Sequence, residues 1–125
     1  MTQETLKYIS DTLTAAGINY EFGEWTSDIV YPYFTGEYQE TPATSEDGLQ
    51  ETSFILNGFS RGSYLDLENA KRTIENLFAY CATILDTGTG LCVDYDNAFI
   101  VPTNDAELKR IQINLSIKEW RLKNG

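Results

Sequence analysis

Glu107-Leu108-Lys109-Arg110-Ile111-Gln112-Ile113-Asn114-Leu115-Ser116-Ile117-Lys118-Glu119-Trp120-Arg121-Leu122 alternates apolar and polar side chains without a break from Arg110 to Lys118. Ile111, Ile113, Leu115 and Ile117 point one way; Arg110, Gln112, Asn114, Ser116 and Lys118 point the other. A period of two is that of a strand with one face on a core and one face in water. Trp120 and Leu122 take the opposite phase, which predicts a bulge or a tail leaving the sheet.

Moving outward, Leu91 to Val101 reads as a partner strand behind the turn Thr87-Gly88-Thr89-Gly90. Glu51 to Phe59 carries apolar residues on both faces, Phe54 and Leu56 against Ile55 and Phe59, which predicts a central strand. Ile29 to Tyr38 is rich in β-branched and aromatic residues, but Pro32 cannot donate to a ladder, which predicts an edge strand or one bent there. Ile18, Tyr20 and Phe22 alternate up to Gly23, a short strand ending in a bend. Between strands, Ser63 and Asp66 can cap a helix with a stripe of Leu67, Ala70, Ile74, Leu77, Phe78 and Cys81. Leu6, Ile9, Leu13 and Ala16 give an N-terminal helix stopped by Gly17. The order α-β-β-β-α-β-β predicts a single α+β domain over 1–125. It has an antiparallel or mixed sheet of about five strands and two helices packed on one face.

Composition narrows the chemistry. There are 19 acidic residues against 9 basic, a net charge of −10, and no histidine. A carboxylate surplus opposes counterion-driven contact with phosphates, so no direct nucleic-acid binding is expected. Lack of histidine removes the commonest general base and zinc ligand. Cys81 in a helical pattern and Cys92 in a strand pattern read as two buried thiols rather than a disulfide. The N-terminus has no basic segment followed by an apolar core, and no apolar run approaches the ~18 residues of a membrane span. The reading is a protein made and kept soluble, with no membrane contact.

Three short motifs touch on chemistry and fall short of it. Gly58-Phe59-Ser60-Arg61-Gly62 fits a nucleophile elbow, but no histidine exists to take the serine proton. Ile84-Leu85-Asp86-Thr87-Gly88 matches the aspartic-protease signature, yet its reading here is a Thr-Gly turn joining helix to strand. Asp94-Tyr95-Asp96-Asn97 begins like a calcium loop, but Phe99 stands where that loop needs glycine. The expectation is no enzyme, no catalytic residues, no metal and no cofactor.

Charge and aromatics mark the expected contact surfaces. Between Lys7 and Arg61 no basic residue occurs, while Glu40, Glu46, Asp47 and Glu51 bracket a polar hairpin loop around 39–50. From Glu107 onward the balance reverses, with Lys109, Arg110, Lys118 and Arg121. A solvated acidic face accounts for this pattern, and so does head-to-tail association of the basic end of one subunit with the acidic hairpin of the next. Tyr31, Tyr33, Phe34 and Tyr38 flank Pro32, and alternation cannot send all four side chains into the core, so part of this run is expected at a protein contact.

These segments resemble a known family. Tyr31-Pro32-Tyr33-Phe34-Thr35-Gly36-Glu37-Tyr38, Glu46-Asp47-Gly48, Phe54-Ile55-Leu56-Asn57-Gly58, Tyr95-Asp96-Asn97-Ala98 and Glu107 to Ile113 together resemble the tail-terminator or head–tail joining proteins of siphophages and prophages of Gram-positive bacteria. The resemblance implies a non-enzymatic virion protein, assembled in the host cytoplasm. It implies a ring, commonly of six copies, at the tail–head junction, with tail and head-connector proteins as partners. The alternative reading is a small acidic binding or inhibitor protein that engages a basic partner as a nucleic-acid mimic.

Overall fold

The computed structural model describes residues 1–40, 48–79 and 81–120, with Cys81 placed by its strand backbone alone. Its elements are α1 (Gln3–Ala15), β1 (Tyr20–Phe22), β2 (Tyr33–Glu40), β3 (Leu49–Arg61), α2 (Tyr64–Leu77), β4 (Cys81–Ile84), β5 (Gly90–Val101) and β6 (Leu108–Trp120). The strands form one mixed sheet in the order β1-β2-β3-β6-β5-β4, parallel between β1 and β2 and antiparallel elsewhere. This is the expected α+β architecture with six strands instead of five.

The alternation in β6 fixes what each face does. Ile111, Ile113, Leu115 and Ile117 lie opposite Gly58, Leu56, Phe54 and Thr52 of β3 and join Ile9 and Leu13 of α1 and Leu67, Ala70 and Ile74 of α2 in one core. Both helices therefore pack on one face of the sheet. Each starts where a side chain satisfies an unpaired N–H: Thr2 Oγ1 accepts from Thr5 N at 3.1 Å, and Ser63 Oγ from Leu65 N at 3.0 Å. β3 is central, between β2 and β6, as its two-sided apolar pattern requires.

Four expectations change. Cys81 belongs to β4, not to the α2 stripe; α2 ends at Leu77 with Phe78 as its cap, and the helical spacing from Phe78 to Cys81 is a coincidence of phase. Cys92 is half-buried on β5, its register partner is Ala82, and its thiol donates to Asp94 Oδ2 at 3.8 Å. β2 is not the edge strand, and of the two expectations for Pro32 it is the bend, at Tyr31 and Pro32, that the structure shows. Pro32 precedes its first paired residue, Tyr33, and β1 covers it from Phe34 to Gly36. The bulge sits in β5 between Tyr95 and Asn97, while β6 keeps its phase through Trp120 because Glu119, not an apolar residue, takes the core-side position.

Candidate interaction surface

The sheet face away from the helices carries no helix or strand over it among the described residues. Its side chains include Tyr33, Glu37, Asn57, Phe59, Arg110, Gln112, Asn114, Ser116 and Lys118, assigned by register from the core-facing set. Its middle is a polar ladder: Gln112 Nε2 donates to Asn114 Oδ1 at 3.0 Å, Asn114 Nδ2 to Asn97 Oδ1 at 2.7 Å, and Ser116 Oγ to Asp96 Oδ2. Such a face binds water well and needs no cover.

One end of the same face differs. Trp25 packs on Tyr33 with centroids 4.9 Å apart, Tyr31 lies 5.7 Å from Tyr33, and Tyr33 stacks on Phe59 at 5.1 Å. The Arg110 guanidinium sits 5.7 Å from the Phe59 centroid, continuing the row with a cation over a ring. Arg110 Nη2 donates to Asn57 Oδ1 at 2.9 Å, and Asn57 Nδ2 donates to Glu37 Oε1 at 3.3 Å. Arg61 flanks the row, beside the Tyr31 hydroxyl and 3.4 Å from Asp105 Oδ2. Burial among these rings pushes the Tyr33 phenol above its ordinary value.

Trp25 and Tyr31 reach this row from the loop 23–32, which joins two adjacent parallel strands and so must run back along the sheet. Gly23 (φ +84°) starts it, and the Glu21 carboxylate braces it. Glu21 accepts from Thr26 Oγ1 at 2.7 Å and from the backbone N–H groups of Thr26 and Ser27 at 3.3 Å, and Trp25 Nε1 donates to Asp28 O at 3.1 Å. The Thr26 hydroxyl foremost, with the two N–H groups, holds the Glu21 carboxyl below its ordinary value. A lowered folded value means the brace is present at neutral pH and lost as pH falls through that value. Trp25 emission in a Trp120→Phe background is therefore expected to change as pH is taken below the ordinary glutamate range, and Glu21→Gln to abolish that transition. A transition that survives Glu21→Gln would assign it to another group.

The sequence-derived contact residues do not stay together. Tyr31, Tyr33 and Arg110 meet in the aromatic row. Phe34 is 1% exposed in the core, so its side chain contributes nothing to a surface, a correction that follows from its register opposite Gly58. Tyr38 lies on the helix side of β2, 36% exposed, and stacks on Phe22 at 5.9 Å. Glu40 pairs with the amino group of Met1. Lys109 points to the helix side, 5.1 Å from the Tyr64 centroid. Glu46, Asp47, Arg121 and most of the hairpin loop lie outside the described residues.

Lys118 revises the charge argument. Antiparallel pairing of β3 with β6 sets Lys118 opposite Glu51 and Trp120 opposite Leu49, so the chain enters the acidic hairpin and leaves β6 at the same end of the sheet. Acidic and basic segments far apart in sequence are neighbours there. At the far end lie Arg110, opposite Phe59, and Arg61 on the open side, with Lys109, opposite Ser60, on the helix side. Trp25, Asn57, Phe59 and Arg61 escaped the sequence reading as surface residues; the shared parity of Asn57 and Phe59 with Arg110 was the available signal.

The chemistry-like motifs resolve into structure. Gly58 and Ser60 lie within β3, Ser60 fully buried, and Gly62 turns the chain at φ +85°. Asp86-Thr87-Gly88 forms the turn between β4 and β5, joining strand to strand rather than helix to strand: Leu85 N donates to Thr89 O at 2.9 Å and Gly88 has φ +89°. Asp94 to Asn97 is bulged strand, and no group of three or more potential metal ligands occurs among the described residues. No described helix is long and apolar enough to cross a membrane. Comparison with the models of known protein families finds no match, and comparison with curated protein sequences finds no significant relative.

Proposed function

We propose that this chain is a non-enzymatic assembly subunit of a tailed-phage virion, of the tail-terminator or head–tail joining type, acting as a ring of copies at the tail–head junction. The observation that supports this reading is the sheet face left without helices, with a half-buried row of aromatic rings ending in an arginine. Aromatic residues and arginine are the side chains enriched at protein contacts, and clustered they make a central anchor. The likeness of the Tyr31 to Tyr38 and Glu107 to Ile113 segments to that family adds the biological setting.

Light scattering and negative-stain imaging of the purified protein, alone and with ring-free phage tails, test the proposal. Rings, or protein seated on tail ends, are the expected result. A compact monomer that ignores tails and instead binds a basic protein would replace this reading with that of an acidic inhibitor.

A further inference from the structure

We propose that the Arg110 end of the open sheet face is a docking site for the acidic hairpin segment, residues 40–47, of a second copy of this chain. The proposal rests on the assembly reading and names the contact through which copies meet.

Arg110 is the cation that ends the aromatic row, and like Arg72, Lys109 and Lys118 it pairs with no carboxylate among the described residues. Lys7, Arg61 and Lys71 each pair with a carboxylate. Among the described residues Arg110 pairs with none; its Nε is buried without an acceptor, and its one hydrogen bond goes to neutral Asn57. The nearest carboxylate in that network, Glu37, is reached only through Asn57. A guanidinium 5.7 Å from the Phe59 centroid, paired with no carboxylate among the described residues, can take one from outside at its terminal nitrogens, its Nε being buried. The rings of Tyr33 and Tyr31, which follow Phe59 in the row, offer a surface on which a proline-bearing segment packs.

Glu40-Thr41-Pro42-Ala43-Thr44-Ser45-Glu46-Asp47 has that chemistry: three carboxylates, one proline and no cation. It cannot reach the site in its own subunit. Glu40 is in register with Thr52, and Arg110 with Phe59. That separation along β3 is about 23 Å at 3.3 Å per residue. A connection tethered at both Glu40 and Leu49 extends at most about 14 Å from its anchors. The match is therefore available only between copies, and it is heterologous, hairpin end to Arg110 end, the kind of contact that closes rings or builds filaments.

Sedimentation of four samples tests this: wild type, Glu46→Lys/Asp47→Lys, Arg61→Glu/Arg110→Glu, and a 1:1 mixture of the two variants, with thermal melts confirming that each is folded. The expected result is salt-sensitive association of wild type, weakened at least about tenfold in either variant alone and restored in the mixture, where the charges are again complementary. If Arg61→Glu/Arg110→Glu does not fold, Glu46→Lys/Asp47→Lys with the milder Arg110→Gln carries the comparison. Association unchanged by hairpin reversal overturns this contact and leaves the ring reading standing. A wild type monomeric at about 1 mM also overturns the contact, while imaging on tails still decides the ring.

Discussion

Gly58→Ala is expected to destabilise the protein by about 3 kcal/mol, the upper end of the cost of inserting one methyl into a filled core. A Cβ at this position would stand 2.3 Å from Phe34 Cε2, with two further ring carbons within 2.8 Å. The ring has nowhere to retreat, because Phe34 is 1% exposed and sits between the central strand and the helices. Gly58 is thus the floor on which Phe34 lies, and the glycine of an apparent catalytic motif is explained by packing. Urea denaturation of Gly58→Ala, Phe34→Leu and the double variant checks the mechanism. The two single losses should exceed the double loss by about 1–2 kcal/mol, since a smaller side chain at 34 makes room for the methyl. Strict additivity would mean that the two positions do not touch.

Packing of this kind explains how much of the molecule could be read from its residues. Period-two alternation in β6 and the two-sided apolar pattern of β3 are local signals, and they yielded the face and the centrality of each strand. β4 was not legible because Cys81 continues the helical phase of α2 by accident, and only the pairing of Cys81–Ile84 with Gly90–Val93 distinguishes the segment. The candidate surface was half legible. Tyr31 and Tyr33 stand out as aromatic beside a proline, but their union with Phe59 and Arg110 depends on register across three strands, which no local pattern contains. Charge segregation is redrawn for the same reason at one residue: antiparallel pairing folds Lys118 back onto Glu51, while Arg110 stays at the opposite end of β3.

Glu119 carries the same lesson into energetics, and its removal is the second large effect expected. As a charged residue near the end of an amphipathic strand it reads as solvated, yet the unbroken phase of β6 turns it inward and it is 0% exposed. There its Oε2 accepts from Thr5 Oγ1 at 2.7 Å, Thr2 Oγ1 at 3.1 Å and Thr2 N at 3.3 Å. These donors belong to the cap and first turn of α1, so the carboxylate also meets the positive end of the helix. One side chain therefore ties the N-terminus of α1 to the end of β6. Glu119→Leu removes the acceptor and strands the buried Thr5 hydroxyl, while Thr2 Oγ1 keeps Thr5 Oγ1 at 2.9 Å, and is expected to cost about 3 kcal/mol. Glu119→Gln keeps an oxygen in place but loses the charge, and should cost about half as much. Thr5→Val removes the shortest of the three bonds and should cost about 1 kcal/mol in the wild type and much less in Glu119→Leu. Denaturant midpoints for this series separate a cap from mere burial. If Glu119→Leu proved neutral or stabilising, the Thr5 hydroxyl would have found another acceptor, and the attachment of α1 to the sheet would rest on Ile9, Leu13, Leu6 and Tyr8 in the core and on the Met1 amino group at Glu40.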